Sequence, residues 1–539
     1  MPKYVFVTGG VMSGLGKGVT TAAIAKLLQL SGFKVTCAKI DPYINVDAGT
    51  MNPITHGEVF VTDDGGEADM DLGTYERFLN QDLTIENNIT TGQVYQKVIN
   101  DEREGKFLGK CVQIIPHVTD EIKKRISDLA AHSHVDVIIV ECGGTVGDME
   151  GLPFLEAFRQ MRMEEGLDNT LFIHVTLAPV INPVGEVKTK PTQHSVQELR
   201  RIGIQPDIIV VRGEELLTDE TKKKISLFTS VESWKIISDP NLDSIYKIPE
   251  CLELGGVLKP IFEQFQIVRK KFEVDRWSRI ATSFTVVRPE IKIAIVGKYT
   301  NLSDSYASVN HALSHAGAMQ GIDVQIDWLD AEEFEKNHKH LESLGNYHGI
   351  LTPGGFGDRG SEGKILVANY TREKRIPYLG ICFGFQLSVV AYARYVCGLD
   401  GANSIELDPS TPHPVVHLLP EQRDVKDVGA TMRLGGHDIT LVGDTIAFKL
   451  YGQMLIRRRH RHRYEFNQEY KDVLDEYGMV ISAFSDGGRR AEIMEIPSHP
   501  FYLATQYHPE FTSRPGKPEE VYLAFVQAAA ARRVNSKGP

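Results

Sequence analysis

The chain has 539 residues, with 59 Lys plus Arg against 71 Asp plus Glu, a formal net charge of −12, and it is 42% hydrophobic and 24% charged. That length holds two to four domains and excludes a single small module. The composition excludes wholesale disorder, and the acidic balance argues against a protein held mainly by phosphate backbones while leaving room for individual nucleotides at local basic sites.

Six cysteines, Cys37, Cys111, Cys142, Cys251, Cys382 and Cys397, form no C-x-x-C pair, so neither a zinc knuckle nor a thioredoxin motif is signalled and a reducing compartment is expected. The N-terminal MPKYVFVTGG is too short for a signal peptide's apolar core, and no segment nears the roughly 18 apolar residues of a membrane span. A cytoplasmic protein without a membrane partner is expected.

In chain order, Tyr4–Val7 reads as a strand, followed by a glycine loop and a helical pattern at Thr20–Leu30. Val- and Ile-rich runs at Val135–Val140, Leu171–Val175 and Asp207–Val211 read as further buried strands. A charged amphipathic helix is predicted at Val268–Val274, inside a linker that ends at Arg288-Pro289-Glu290. The pattern then restarts with a strand at Ile291–Val296 and a helix at Ser308–Met319, and strands follow at Gly349–Leu351, Pro377–Ile381 and Tyr502–Gln506. Strands alternating with helices predict two α/β regions with buried parallel sheets.

The loop Gly9-Gly10-Val11-Met12-Ser13-Gly14-Leu15-Gly16-Lys17-Gly18 lies between a strand and a helix. Its glycines let backbone N–H groups converge on phosphate oxygens, the helix N-terminus adds positive potential, and Lys17 is placed to neutralise terminal phosphates. The strict G-x-x-x-x-G-K-[ST] pattern is not met: Val11 stands where Gly is expected, and Gly18 stands where Ser or Thr should hold a metal. Thr20 and Ser13 are the candidates for the displaced hydroxyl. The plain alternative is a glycine-rich turn closing a strand–helix unit.

Hard-oxygen ligands are available in the acidic run Asp63 to Asp71, most of which reads as a solvated loop, and at Glu141, a carboxylate ending a buried strand. The segment Lys188-Thr189-Lys190-Pro191-Thr192-Gln193-His194 offers cations and amide and hydroxyl donors suited to a second triphosphate, or is an exposed loop. Lys222, Lys223 and Lys224 as a group read as solvated.

In the second half, Gly380-Ile381-Cys382-Phe383-Gly384 is the cysteine counterpart of a nucleophile elbow. Flanking glycines permit the sharp turn, and the helix behind it favours the thiolate; a buried structural cysteine is the alternative. Residues two apart on an extended segment project to one side, so in His508-Pro509-Glu510 the carboxylate can orient His508 as the base for Cys382. The Thr352–Gly357 loop, with the Phe383 N–H, supplies oxyanion donors. The basic run Arg457–Arg463 invites a nucleic-acid reading, but one heptamer in an acidic chain is a weak signal.

The segments KYVFVTGGVMSGLGKG, KIDPYINVDAGTMNPITHGEVFVTDDG, DLGTYERF, VECGGTVGDMEGLPFLEA and GEVKTKPTQHSV together resemble the synthetase domain of the CTP synthase family, in which the shifted loop is the rule. PGGFG, LGICFGFQ and HPE resemble the three signatures of a class I glutamine amidotransferase domain, and RHRHRYE fits the same family.

The resemblance implies a P-loop NTPase-like, Rossmann-type parallel-sheet domain over 1–268, a linker over 269–290 and a flavodoxin-like α/β glutaminase domain over 291–535. By resemblance, ATP binds at Gly14, Leu15, Gly16, Lys17, Gly18, Val19 and Asp71, and Asp71 and Glu141 hold Mg²⁺. UTP binds at Ser13, Lys188, Thr189, Lys190, Pro191, Thr192, Gln193 and Lys224, and inhibitory CTP at Asp148, Met149 and Glu150. Glutamine binds at Gly355, Phe383, Gly384, Phe385, Gln386, Glu406 and Arg463, with Cys382 as nucleophile, His508 as base and Glu510 as its orienter. Gly14 stands where some members carry Ser, and the elbow reads FGF where LGM is common.

The implied activity is ATP-dependent amination of UTP to CTP through a 4-phosphorylated intermediate. The resemblance also implies GTP activation, CTP inhibition and a homotetramer, without nucleic-acid partners. Because ammonia is largely protonated near neutral pH, an enclosed route between the domains is expected. A P-loop amidoligase acting on a carboxylate is the rival enzyme, and a non-catalytic nucleotide sensor is the rival of another class.

Overall fold

The computed structural model describes residues 2–52, 56–181, 185–271, 273–298, 303–418 and 432–536. The chain divides into two compact units: residues 1–48 with 71–285, and residues 49–70 with 286–539. The segment 49–70 therefore groups with the second unit, although it precedes most of the first in sequence.

The first unit is built on seven strands: β1 (Lys3–Gly9), β2 (Val35–Asp41), β3 (Asn88–Thr90), β4 (Val137–Cys142), β5 (Thr170–Leu177), β6 (Ile208–Gly213) and β7 (Ile236–Pro240). They run parallel in the order β7-β6-β5-β1-β4-β2-β3. Every residue of the VIIVEC strand β4 is buried, as a parallel sheet covered on both faces requires. Phe6 of β1 stacks on Phe158 and Phe172 at centroid distances of 4.4 and 5.3 Å, tying the central strand to a covering helix and to β5.

Strands β2 to β4 lie on one side of β1 and β5 to β7 on the other, so the strand order reverses beside the carboxyl end of β1, a topological switch point of the kind where open α/β sheets bind ligands. The glycine loop sits there, and the Ala/Leu-rich helix Lys17–Leu30, buried almost all round, follows it.

The predicted helix at Val268–Val274 is not formed. The preceding helix, Leu258–Phe265, ends at Gln266 with φ 53°, and the Lys270 and Lys271 N–H groups donate to Ser31 O at 2.9 and 3.0 Å instead of continuing a helical ladder. The amphipathic helix starts later, at Val274–Thr282, where Trp277 and Ala281 are buried.

The second unit carries nine strands: β8 (Glu290–Gly297), β9 (Asp323–Asp330), β10 (Gly349–Thr352), β11 (Tyr378–Ile381), β12 (Arg433–Leu441), β13 (Leu455–His462), β14 (Val480–Ser485), β15 (Arg490–Glu495) and β16 (Tyr502–Thr505). Their order is β9-β8-β10-β11-β16-β15-β14-β12-β13. The first five are parallel and the rest pair antiparallel, so the predicted parallel sheet is extended by four further strands. The adjacent strands β10, β11 and β16 end side by side, which gathers the segments that follow them at one edge. Among the described residues, no helix is long and apolar enough to cross a membrane.

Candidate active site

The glycine loop after β1 turns through left-handed backbone at three positions. Gly14 and Gly16 take φ of 70° and 86°. Val11, at the position where glycine was expected, also takes a left-handed φ of 79°, a costly conformation for a β-branched residue. Lys17 is buried, its Nζ donating to Gly144 O at 2.8 Å, and its side chain lies so close over Gly9 that a Cβ there would meet its Cδ at 2.3 Å. Burial pushes the Lys17 ammonium down, opposed by Glu141.

Gly18 has a structural reason: a Cβ there would lie 2.1 Å from Asp71 Oδ1. The carboxylate of Asp71 fills the space that a Ser or Thr side chain would take. Thr20, one candidate for the displaced hydroxyl, is fully buried and donates to Asp239 Oδ2 at 3.4 Å, which commits it to the core; Ser13 is exposed.

Lys39 is the residue that the motifs missed. Its Nζ bonds Asp71 Oδ2 and lies 3.0 Å from Glu141 Oε1, and the Tyr75 hydroxyl donates to Glu141 Oε2. Its signal was a lysine inside the buried strand VTCAKID, a place where a charge must be paired. Burial raises the Glu141 carboxyl, against the pull of Lys39.

The Lys39 ammonium bridges Asp71 and Glu141, so the two carboxylates expected to hold Mg²⁺ lie close enough to share a cation. Among the described residues, no group of three or more His, Cys, Asp or Glu could hold a metal. A cavity of about 340 Å³ opens beside the loop, lined by Met12, Leu15, Pro179, Arg212, Glu214 and Asn241.

In the segment expected to hold a second triphosphate, Lys190-Pro191-Thr192-Gln193 opens the helix Lys190–Arg201. Gln193 Nε2 donates to Thr189 Oγ1 at 3.0 Å, and the Thr192 hydroxyl donates to Leu177 O at 3.0 Å. Lys188 pairs with Glu186 at 2.5 Å and holds that carboxyl below its ordinary range, with a smaller pull from Lys224. Asp148 Oδ2 accepts from the Thr145 N–H at 2.7 Å, and the side chain of Met149 is exposed beside Glu150.

In the second unit, Cys382 follows β11 with φ 54° and ψ −102°, a strained backbone at the N-cap of the helix Phe383–Tyr395. Gly384 allows this approach, since a Cβ there would sit 2.2 Å from Thr352 O. The thiol lies 3.5 Å from Arg461 O. His508 follows β16, and its Nδ1 bonds Glu510 Oε1 at 2.7 Å, which leaves Nε2 for Cys382. Cys382, His508 and Glu510 share a cavity of about 950 Å³ with Gly355, Glu406 and Arg463. Phe385 and Gln386 are buried, and Gln386 Nε2 donates to Tyr464 O at 2.9 Å; neither lines the cavity.

Burial alone would lower the His508 pKa, but the Glu510 carboxylate and the Cys382 sulfur outweigh it and raise it to about 10. An unfolded histidine titrates near ~6.5. The stabilisation from this raised group is therefore full below ~6.5 and is lost as pH rises through about 10. Urea unfolding from pH 7 to 9.5 is expected to show this component as a decline of about 1.4 kcal/mol per pH unit. His508→Gln should remove it; an unchanged slope in that variant would contradict the assignment.

The basic run Arg457–Arg463 lies mostly on β13, and its alternation is resolved by the pleat. Arg457 pairs with Asp63 at 3.0 Å, Arg459 donates to Val61 O at 3.1 Å and Arg461 pairs with Glu67 at 2.8 Å, while His460 and His462 are buried. The acidic run was read as mostly solvated, yet Asp63 and Glu67 are held by these arginines and Glu67 is buried.

Residues 3–267 match the family model for the CTP synthase N-terminus, and residues 301–528 match glutamine amidotransferase class-I. The CTP synthase of Thermococcus gammatolerans is 51% identical over 534 residues, 99% of each chain, and that of Pyrococcus furiosus is 52% identical over 530 residues, 98% of each chain. A solved Trypanosoma brucei CTPS glutaminase domain with bound acivicin is 38% identical, covering 45% of this chain and 94% of that one with a TM-score of 0.43. The chain belongs to the CTP synthase family and is a ligase that converts UTP to CTP with nitrogen from glutamine, a step of pyrimidine nucleotide biosynthesis.

Proposed function

We propose that the conversion runs as two half-reactions at separate sites. The carrying observation is the Cys382 elbow sharing one cavity with the His508–Glu510 pair and with Gly355, Glu406 and Arg463. Cys382 Sγ attacks the carboxamide carbon of glutamine, and His508 protonates the departing nitrogen. Ammonia leaves a γ-glutamyl thioester, which water hydrolyses to glutamate. Glu510 holds the imidazole in the tautomer that this transfer needs.

At the other site, the loop Gly14–Val19 holds the ATP phosphates, and Lys17 neutralises charge as the γ-phosphoryl moves to the 4-oxygen of UTP. Ammonia adds at C4, phosphate departs and one proton is lost, giving CTP. Phosphorylation is needed because the free oxygen is a poor leaving group. Asp71 and Glu141 would hold Mg²⁺, which supplies charge neutralisation on phosphate oxygens.

Ser13, the segment Lys188 to Gln193 and Lys224 would bind UTP, and Asp148, Met149 and Glu150 would take part in CTP inhibition. Residues 1–268 would then be the synthetase and 291–535 the glutaminase, in a homotetramer activated by GTP.

Labelled UTP tests the intermediate. With ¹⁸O at the 4-position, the label is expected in inorganic phosphate, one atom per CTP formed. Label released into water would mean direct displacement of hydroxide and would end the phosphorylated intermediate.

A further inference from the structure

Two lysines that the chemistry above does not use lie buried against the loop after β10. Lys364, on the helix Ser361–Glu373, has no exposed surface, and its Nζ donates to Pro353 O at 2.9 Å. Lys298, just beyond β8, donates to Phe356 O at 2.8 Å and to Gly357 O. Both ammonium groups lie over the ring of Phe383, the residue after the nucleophile, at 5.5 and 4.7 Å. Placing an amine this deep is costly, and burial pushes both down, Lys298 to about 8 and Lys364 well below its usual range. A neutral amine still donates, so the anchor at Pro353 survives loss of the charge.

The consequence follows from the planar trans peptide, in which C=O and N–H point in opposite directions. Holding the Phe356 carbonyl on Lys298 turns the Gly357 N–H the other way, and that N–H donates to Glu406 Oε1 at 2.7 Å. The same rule applies one turn earlier. With the Pro353 carbonyl on Lys364, the Gly354 N–H faces away from the lysine, and among the described residues it donates to no acceptor in the chain. Gly354 borders the reacting groups: a Cβ on it would lie 3.1 Å from His508 Cε1 and 3.6 Å from Cys382 Cβ.

We propose that Lys364 is the positioning residue of the oxyanion hole, fixing the Pro353–Gly354 peptide so that the Gly354 N–H meets the carboxamide oxygen of glutamine. This rests on the reading that Cys382 attacks glutamine. As the S–C bond forms, the carbonyl π pair moves onto oxygen, and the Gly354 and Phe383 N–H groups receive it. When the C=O re-forms, ammonia is expelled. Without the lysine the peptide is free to rotate and present its carbonyl to the developing anion.

Lys364→Met keeps the volume and removes the donor. Its kcat for glutamine hydrolysis is expected to fall about 10²–10³-fold, the cost of losing one oxyanion donor, with KM within about twofold. Alkylation of Cys382 by iodoacetamide, a displacement that forms no oxyanion, should keep the wild-type rate. Glutamate γ-semialdehyde, which adds the sulfur and does form one, should bind more weakly by a factor comparable to the loss in kcat. Hydrolysis within about threefold of wild type would overturn the proposal, and so would an equal fall in alkylation, which would assign the lysine to the packing of the whole pocket. Wild-type enzyme that still hydrolyses glutamine once Cys382 is alkylated would instead overturn the nucleophile assignment.

Discussion

Gly18→Ser, which restores the residue that phosphate loops usually carry after the lysine, is expected to lower CTP formation at least about 10²-fold with either glutamine or ammonium as nitrogen source. The new Cβ would sit 2.1 Å from Asp71 Oδ1 and 2.6 Å from its Cγ, a separation that no rotamer of the serine relieves, because Cβ is fixed by the backbone. Asp71 is held by Lys39, which also holds the buried Glu141. Moving Asp71 therefore disturbs both carboxylates that would bind the metal, because Lys39 ties the two together. Overpacking costs about 1–3 kcal/mol of stability, and loss of metal and phosphate positioning should lower the ammonium-dependent rate by at least about 10²-fold. Glutamine hydrolysis uses none of these groups and should persist. Steady-state rates with both nitrogen sources, alongside urea unfolding, check this. A variant that makes CTP from ammonium at the wild-type rate would show that Asp71 can move aside without consequence.

The parts of this chain that were legible in sequence are those whose chemistry is local. A strand, a glycine loop and Lys17 lie within one short stretch, and so do the glycines around Cys382. His508 and Glu510 are two residues apart and do pair, although Pro509–Thr512 forms a short 3-10 helix and not the extended segment from which their common side was expected. Lys39, Lys298 and Lys364 were not legible because their meaning depends on partners distant in sequence: Lys39 meets Glu141 across the sheet, and Lys364 meets a carbonyl eleven residues away that only the loop's path brings back.

The run RRRHRHR was ambiguous for a related reason. Its composition suggests an exposed basic patch, but a strand sorts alternate residues onto opposite faces, and the arginines on one face find Asp63, Val61 O and Glu67. Glu67 of the acidic run departs from the solvated reading, being buried against Arg461, since neither partner reveals the other in sequence. The predicted helix at Val268–Val274 failed because Ser31 O captures the two backbone N–H groups that the helix would have used.

Cys382→Ala, assayed with glutamine and with ammonium, tests most directly whether nitrogen release and UTP amination are separate chemistries. The substitution removes one atom, Sγ, from a cavity where His508 is already oriented by Glu510 at 2.7 Å, and nothing else in that cavity can form the thioester. Losing Cys382 as the proposed nucleophile costs on the order of 10⁶ in kcat. The Ala side chain also inherits the φ of 54°, a strain it shares with the wild-type residue, so the elbow itself should survive. The expected result is loss of glutamine hydrolysis and glutamine-dependent CTP formation to background, with ammonium-dependent CTP formation at the wild-type rate. Loss of both activities in a folded variant, or glutamine-dependent synthesis that persists, would contradict the division of labour between Cys382 and Lys17.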